Sequence, residues 1–352
     1  MSAPTAARAV FMLALCVVVV GAAGSEGFGP WSISGPVALT IGIALALTGL
    51  TAFEKSCKVA ARVLMQTSIV LLGFSIPLAE VLRAGLSGLG LTLGTVLLAL
   101  AAGIALGRLL RVEAHITTLL TAGTAICGGS AIVATGAAIR ASAASISLAT
   151  AIVFLLNAGG VYAYPPLGRW MGLSEIQFGT WAGIGIHDTA GVVAAGKVFG
   201  PVALDQATIV KLTRVLWIVP VSLGLAAWTR RQAAATQAVA ASGSEPVATP
   251  AAHVSLFSVV PLFILLFLLA CIMRSFIPAL VAEREWLPAG ASVAASLRWL
   301  GKALFTVALF LIGTGLSRKA LAAAGWRPLA LGVVLWLIVS VVSLVAVRAL
   351  IV

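Results

Sequence analysis

Asp188 is the single acidic residue deep within an apolar stretch of this chain, and His187 is the single histidine at such a depth. A carboxylate held away from water is costly and is usually kept for a task, while an imidazole can carry protons near neutral pH. The bland readings are a helix cap for Asp188 and a core histidine with one hydrogen bond for His187. Lys211 and Arg214 stand three residues apart and share a helix face. They either line the path of an anion or snorkel toward the outer interface. Cys127 is a further reactive group, but no cation near it in the sequence would activate it as a nucleophile.

These residues sit in or beside two similar interrupted segments. The first, G-T-A-I-C-G-G-S-A-I-V-A-T-G at 123–136, places Gly128 and Gly129 in the middle of an apolar run. Each glycine costs a continuous helix about 1 kcal/mol, so the helix should open there, with Ser130 as the cap of a second half. The second, G-I-G-I-H-D-T-A-G-V-V-A-A-G at 183–196, repeats the layout, with Gly183 and Gly185 loosening the backbone and Asp188 or Thr189 as cap. Half-helix N-termini that meet at mid-membrane present free N–H groups and the positive end of the helix dipole, a ready anion site. The alternative is that the glycines only allow close helix packing.

What must position these groups follows from composition. The chain has 352 residues, 61% hydrophobic and only 9% charged, with 22 Lys and Arg against 10 Asp and Glu. So few charges cannot cover a water-facing surface, which excludes soluble enzymes and nucleic-acid binders and makes lipid the solvent. The positive excess is scattered among apolar runs, as in loops of a membrane protein, with no basic face for nucleic acid. Spanning runs lie near 9–24, 35–52, 62–79, 86–107, 143–165, 207–229, 254–273, 296–316 and 327–351. With 115–139 and 177–198, which either span or re-enter, about eleven membrane segments are expected in an all-α polytopic protein. The chain reads as one transmembrane domain, 1–352, with a flexible polar linker at 230–253.

Eleven loop cations, among them Lys55, Arg108 and Arg230, fall on one side against five on the other, Arg83, Arg274, Arg284, Arg298 and Arg348. That places the N-terminus in the cytoplasm and the C-terminus outside. Residues 9–24 could alternatively act as a signal peptide. An offset of 240 residues relates Gly73, Ala84, Gly85 and Arg108 to Gly313, Ala324, Gly325 and Arg348, with opposite orientations, the inverted-repeat plan of many secondary transporters. Cys16, Cys57, Cys127 and Cys271 form no C-x-x-C pair, and no metal or cofactor is expected.

The motifs I-C-G-G-S-A-I at 126–132, H-D-T-A-G-V-V-A-A-G at 187–196 and I-V-K-L-T-R-V at 209–215 resemble the YeiH-type family of prokaryotic inner-membrane proteins assigned as sulfate exporters. Order, spacing and length agree over nearly the whole chain. The resemblance implies a secondary transporter similar to the sodium/proton antiporter and bile-acid transporter group, with inverted repeats and crossed, unwound helices. It carries over onto Cys127, Gly128, Gly129, Ser130, His187, Asp188, Thr189, Lys211 and Arg214; by their own chemistry His187 and Asp188 are read as the proton-coupling pair and the others as substrate-binding. At Gly191 many members are expected to carry a larger polar residue such as Gln.

The expected function is therefore transport of a small anion of the sulfate, sulfite or organosulfonate class, possible proton coupling included. Membrane lipid and a second copy of the chain, in a possible homo-dimer, are the other expected partners. The competing readings are an intramembrane thiol enzyme using Cys127 and His187 and a passive anion channel. No G-x-x-x-x-G-K-[ST] motif is present for direct ATP drive. A cysteine placed in 230–253 should be labelled only from the cytoplasm and one in 282–288 only from outside; reversed labelling would overturn the topology.

Overall fold

In the computed structural model, residues 3–24, 33–215, 217–218, 220–221, 224, 262–277, 293–315 and 325–351 are described. They form thirteen helices and no strand: α1 (Ala3–Ala23), α2 (Gly35–Thr48), α3 (Glu54–Gly73), α4 (Leu78–Leu109), α5 (Ala114–Ala125), α6 (Gly129–Ala138), α7 (Ala143–Trp170), α8 (Glu175–Gly185), α9 (Thr189–Phe199), α10 (Pro201–Val215), α11 (Leu262–Phe276), α12 (Val293–Thr314) and α13 (Trp326–Leu350). Five are long and apolar enough to cross a membrane by length and composition: α7, α12 and α13 entire, and the stretches Ser56–Gly73 of α3 and Gly88–Leu109 of α4. The chain is thus an all-helical, multi-pass membrane protein. The linker at 230–253 and the loop at 282–288 lie outside the described residues.

Helix boundaries follow local chemistry. The third apolar run, expected at 62–79, is helical from Glu54 and stops at Gly73, because Pro77 stands at the N-cap of α4 and cannot continue a helix. α4 then runs to Leu109, longer than the expected 86–107. α10 starts at Pro201, where a missing N–H costs nothing, and not near 207. Ser142 caps α7 by accepting from the Ser145 N–H, and Ser174 with Gln177 forms a capping box on α8.

The two interrupted segments do not continue as crossed, spanning helices: each folds back into a helical hairpin. In the first, Gly123 of α5 faces Ile132 of α6, and a Cβ at Gly136 would sit 3.4 Å from Leu119. A straight helix would hold 119 and 136 about 25 Å apart. In the second, the Phe178 and Phe199 rings stack at 3.8 Å between centroids and 2° between planes. Glu175, at the start of α8, accepts from the N–H groups of Val202 and Ala203 at 2.7 and 2.9 Å, capping α10 across the mouth of the hairpin. Halves of ten to twelve residues allow either a straight or a folded course, and only these pairwise contacts decide between them.

α7 joins the two mouths. It begins four residues after the first hairpin and ends four residues before the second. At 28 residues it is about 42 Å long, so the hairpins enter from opposite ends and their tips meet near its middle. Packing around them is paired: α4 lies on α5 as α13 lies on α8, α7 on α5 as α10 on α8, and α10 on α4 as α7 on α13. The C-terminal end of α13 is fixed at the second mouth, where Gln177 donates to the Ile351 carbonyl at 2.7 Å and Arg348 to that of Met171. The remaining helices, α1, α2, α3, α11 and α12, pack chiefly on one another. The ion pair of Arg298 on α12 with Asp205 on α10, in which one terminal guanidinium nitrogen donates to both carboxylate oxygens at 3.0 Å, ties the two groups together.

The fold-back is directly testable. With the four native cysteines replaced, Phe178→Cys and Phe199→Cys in one chain should be joined by a short bis-maleimide. A continuous helix would keep these positions about 32 Å apart and give no cross-link.

Candidate functional site

The helix breaks are built by different means in the two hairpins. α5 ends at Ala125, and the Gly128 N–H returns to the Gly123 carbonyl at 2.9 Å, closing the helix end in a Schellman-like bond. Gly128 itself has φ 68° and ψ −120°, a conformation kept for glycine, and a Cβ on it would meet the His187 carbonyl oxygen at 3.3 Å and Val153 at 3.2 Å. The N-cap of α6 is Gly128, not the expected Ser130, and α6 has no side-chain cap. Ser130 is exposed and its Oγ lies 2.7 Å from Cys127 Sγ, a partner one turn back that takes it out of the capping position.

In the second hairpin the expected loosening at Gly183 and Gly185 does not occur, since α8 is helical through both. They are packing glycines: a Cβ at 183 would lie 2.9 Å from Val210, and one at 185 would overlap the Tyr164 hydroxyl. The chain opens at Ile186 instead. Asp188 is the N-cap of α9, accepting from the Ala190 N–H at 3.2 Å, and Thr189 is the first helical residue. Both are buried.

The tips meet, and α10 fastens them. Lys211 and Arg214 are 1% and 0% exposed, which rules out snorkelling to an interface. Lys211 Nζ donates to the carbonyl of Ile126 at 3.4 Å and to that of His187 at 3.2 Å. Arg214 donates through one terminal nitrogen to the Ile184 carbonyl and through the other to that of Ala125. Each cation therefore takes one carbonyl from each hairpin, at the C-terminal ends of α5 and α8 where the helix dipoles concentrate negative charge. His187 Nε2 adds a bond to Thr124 Oγ1 at 3.1 Å, while its Nδ1 is buried with no hydrogen-bond partner among the described residues.

Two further contributors escape a reading of the motifs. Asn157, the chain's one asparagine, stands in the middle of α7 and accepts from the Asp188 N–H at 3.0 Å. Its carboxamide occupies the space beside Gly191, where a Cβ would overlap it. A solitary carboxamide halfway along a spanning helix was the available signal. On the opposite flank, Trp336 of α13 donates to the Gly185 carbonyl at 3.0 Å and Trp181 donates to that of Ser340 at 2.9 Å. Tyr164 stacks on Trp181 at 4.1 Å, which closes this side with aromatic rings.

Cys127, Gly128, His187, Asp188, Thr189, Lys211 and Arg214 are thus gathered around the two tips, with Gly129 and Ser130 on the accessible side of the first. Cys127 and His187 have different partners, Ser130 and Thr124. Among the described residues no group of three His, Cys, Asp or Glu side chains could hold a metal ion.

The architecture defines a polytopic helical membrane protein with two opposed hairpins. The family model described as "Conserved hypothetical protein 698" matches residues 9–332, and the chain belongs to this family, the YeiH family indicated by its motifs. Similar proteins, each named "UPF0324 membrane protein", include one from Porphyromonas gingivalis, 37% identical over 91% of this chain and 89% of its own length. Others come from Photobacterium profundum, 38% identical over 89% and 86%, and Geobacter sulfurreducens, 34% identical over 91% and 92%. No solved structure matches the chain.

Gly128→Ala should lower stability by about 1–3 kcal/mol, the usual cost of such a backbone conformation in a non-glycine residue. Gly90→Ala, at a helical glycine with open space around it, should be neutral or stabilising by up to about 1 kcal/mol. Thermal unfolding in detergent compares the two.

Proposed function

We propose that this protein is a secondary transporter of a small anion of the sulfate, sulfite or organosulfonate class. The observation that carries the reading is the meeting of two broken helices from opposite ends of α7 on two buried cations. Non-helical backbone at membrane depth is tolerated where it is enclosed by protein or borders a wet cavity, and substrate sites of secondary transporters lie at such half-helix ends. Lys211, Arg214 and Asp188 leave a formal excess of one positive charge at the tips. The dipole ends of the four half-helices offset one another, so an arriving anion completes the balance. The α6 N-terminus suits it best, having no side-chain cap and an exposed Ser130, whereas α9 is closed by Asp188.

The paired packing of α4 with α13, α7 with α10 and hairpin with hairpin supports an inverted repeat, and with it alternating access, in which the hairpin-bearing bundle moves against α1, α2, α3, α11 and α12. The excess of loop cations supports a cytoplasmic N-terminus and a C-terminus outside, and the family resemblance supports location in the cell inner membrane. An enzymatic role is disfavoured by the separate partners of Cys127 and His187; Cys127→Ser should leave transport largely intact. Protonation of Asp188 or His187 is proposed to accompany anion binding, which makes the carrier a proton–anion symporter.

Purified protein should be thermally stabilised by one of sulfate, sulfite, a sulfonate or a carboxylate, increasingly with concentration; no shift with any of them would count against the anion site. Asp188→Asn should keep the anion response but flatten its pH dependence and uncouple transport from the proton gradient. A wild-type pH profile in that variant would reduce Asp188 to a helix cap.

A further inference from the structure

Where helices end inside a membrane protein, their terminal carbonyls are the groups that bind a coupling sodium ion. Monovalent and divalent hard cations take oxygen ligands of this kind. Here the corresponding carbonyls are not vacant. Ile126 and His187, one from each hairpin tip, direct their oxygens to Lys211 Nζ at 3.4 and 3.2 Å. The ammonium is fully enclosed, carried in on a neighbouring helix and held by backbone oxygens.

We infer that the tips form a monovalent-cation site whose occupant is the protein's own ammonium group, so that the protein takes no sodium ion at this place. Four features support it. The two oxygens come from separate hairpins, as expected for a site that exists only when the tips meet. Ile126 is the C-cap of α5 and His187 follows the C-cap of α8, so both oxygens lie just beyond helix C-termini, where partial negative charge accumulates. Arg214 already engages the neighbouring carbonyls of Ala125 and Ile184, so the Ile126 and His187 oxygens need a cation of their own. Lys, unlike Arg, is a compact point charge on a flexible stem, the closest a side chain comes to a small free cation. A tethered cation cannot leave, so in a carrier no sodium gradient can be coupled through this place. That consequence rests on the transporter reading; the site itself does not.

Removing the tether should expose the site. In Lys211→Ala the lost side chain leaves room for a free cation between the same oxygens. The thermal midpoint of this variant in detergent, at constant ionic strength, should be higher in sodium or methylammonium chloride than in choline chloride, whose cation is too bulky to enter. The wild type should show the same midpoint in all three salts. Lys211→Met, which fills the volume without charge, should also show no difference between salts. An unchanged midpoint across the salts for folded Lys211→Ala would overturn the inference. Should that variant fail to accumulate, Lys211→Ser takes the same test. The wild type provides an independent check: stabilisation by sodium over choline, with or without an added anion, would mean that a free cation binds despite Lys211, and would also overturn it. No anion response in the wild type, with the cation response of Lys211→Ala intact, would sink the transport reading alone.

Discussion

A helix that stops inside an apolar medium leaves its last carbonyls without partners, and each unsatisfied group costs several kcal/mol. In this protein two helices, α5 and α8, stop side by side, and their dipoles add to the penalty by bringing negative ends together. Arg214 and Lys211 answer both problems at once: the guanidinium bonds one carbonyl within each helix, Ala125 and Ile184, and the ammonium bonds one carbonyl just beyond each helix end, Ile126 and His187. The arrangement depends on their spacing along α10: one helical turn separates the cations, and their acceptors are adjacent residues in the first hairpin, Ala125 and Ile126, and three residues apart in the second, Ile184 and His187. Burial of the cations is itself expensive, so the carbonyls and the charges each make the other tolerable.

Close approach is the second requirement, and it is met with small residues. Gly183 brings α8 onto Val210 and the Ala207 carbonyl of α10, and Gly185 leaves room for the Tyr164 hydroxyl. On the first hairpin, Gly103 and Gly107 of α4 accept Thr121 and Thr117 of α5 in the same way. Without a hydrophobic drive between helices in lipid, such contacts carry association through dispersion and hydrogen bonding. The Glu175 cap then locks the mouth of the second hairpin to the start of α10, the helix that bears the two cations.

How much of this could be read from the sequence depended on whether the signal was local. The opening at Gly128 was legible because two adjacent glycines interrupt an apolar run, and the cap at Asp188 because an acid precedes a short apolar half-helix. Ser130 misled, since a serine after glycines reads as a cap, yet its hydroxyl turns to Cys127. Gly183 and Gly185 misled in the opposite sense: glycine marks a break or a close contact equally well, and only the neighbours Val210 and Tyr164 distinguish the two. The return of each segment on itself left no local trace, because it rests on pairs such as Phe178 with Phe199 that are far apart in the chain. For Lys211 and Arg214 the shared face was evident, but the carbonyls they serve belong to residues more than twenty positions away.

The contact of Asn157 with Gly191 has a consequence for how this sequence can change. The carboxamide from α7 and a side chain on α9 would compete for one volume, and at present α7 supplies the polar group while α9 supplies the gap. A polar side chain introduced at 191 therefore evicts Asn157 from its bond with the Asp188 N–H unless 157 shrinks in step. The two positions behave as a single letter written across two helices, and a drift at one is readable only with the other in view.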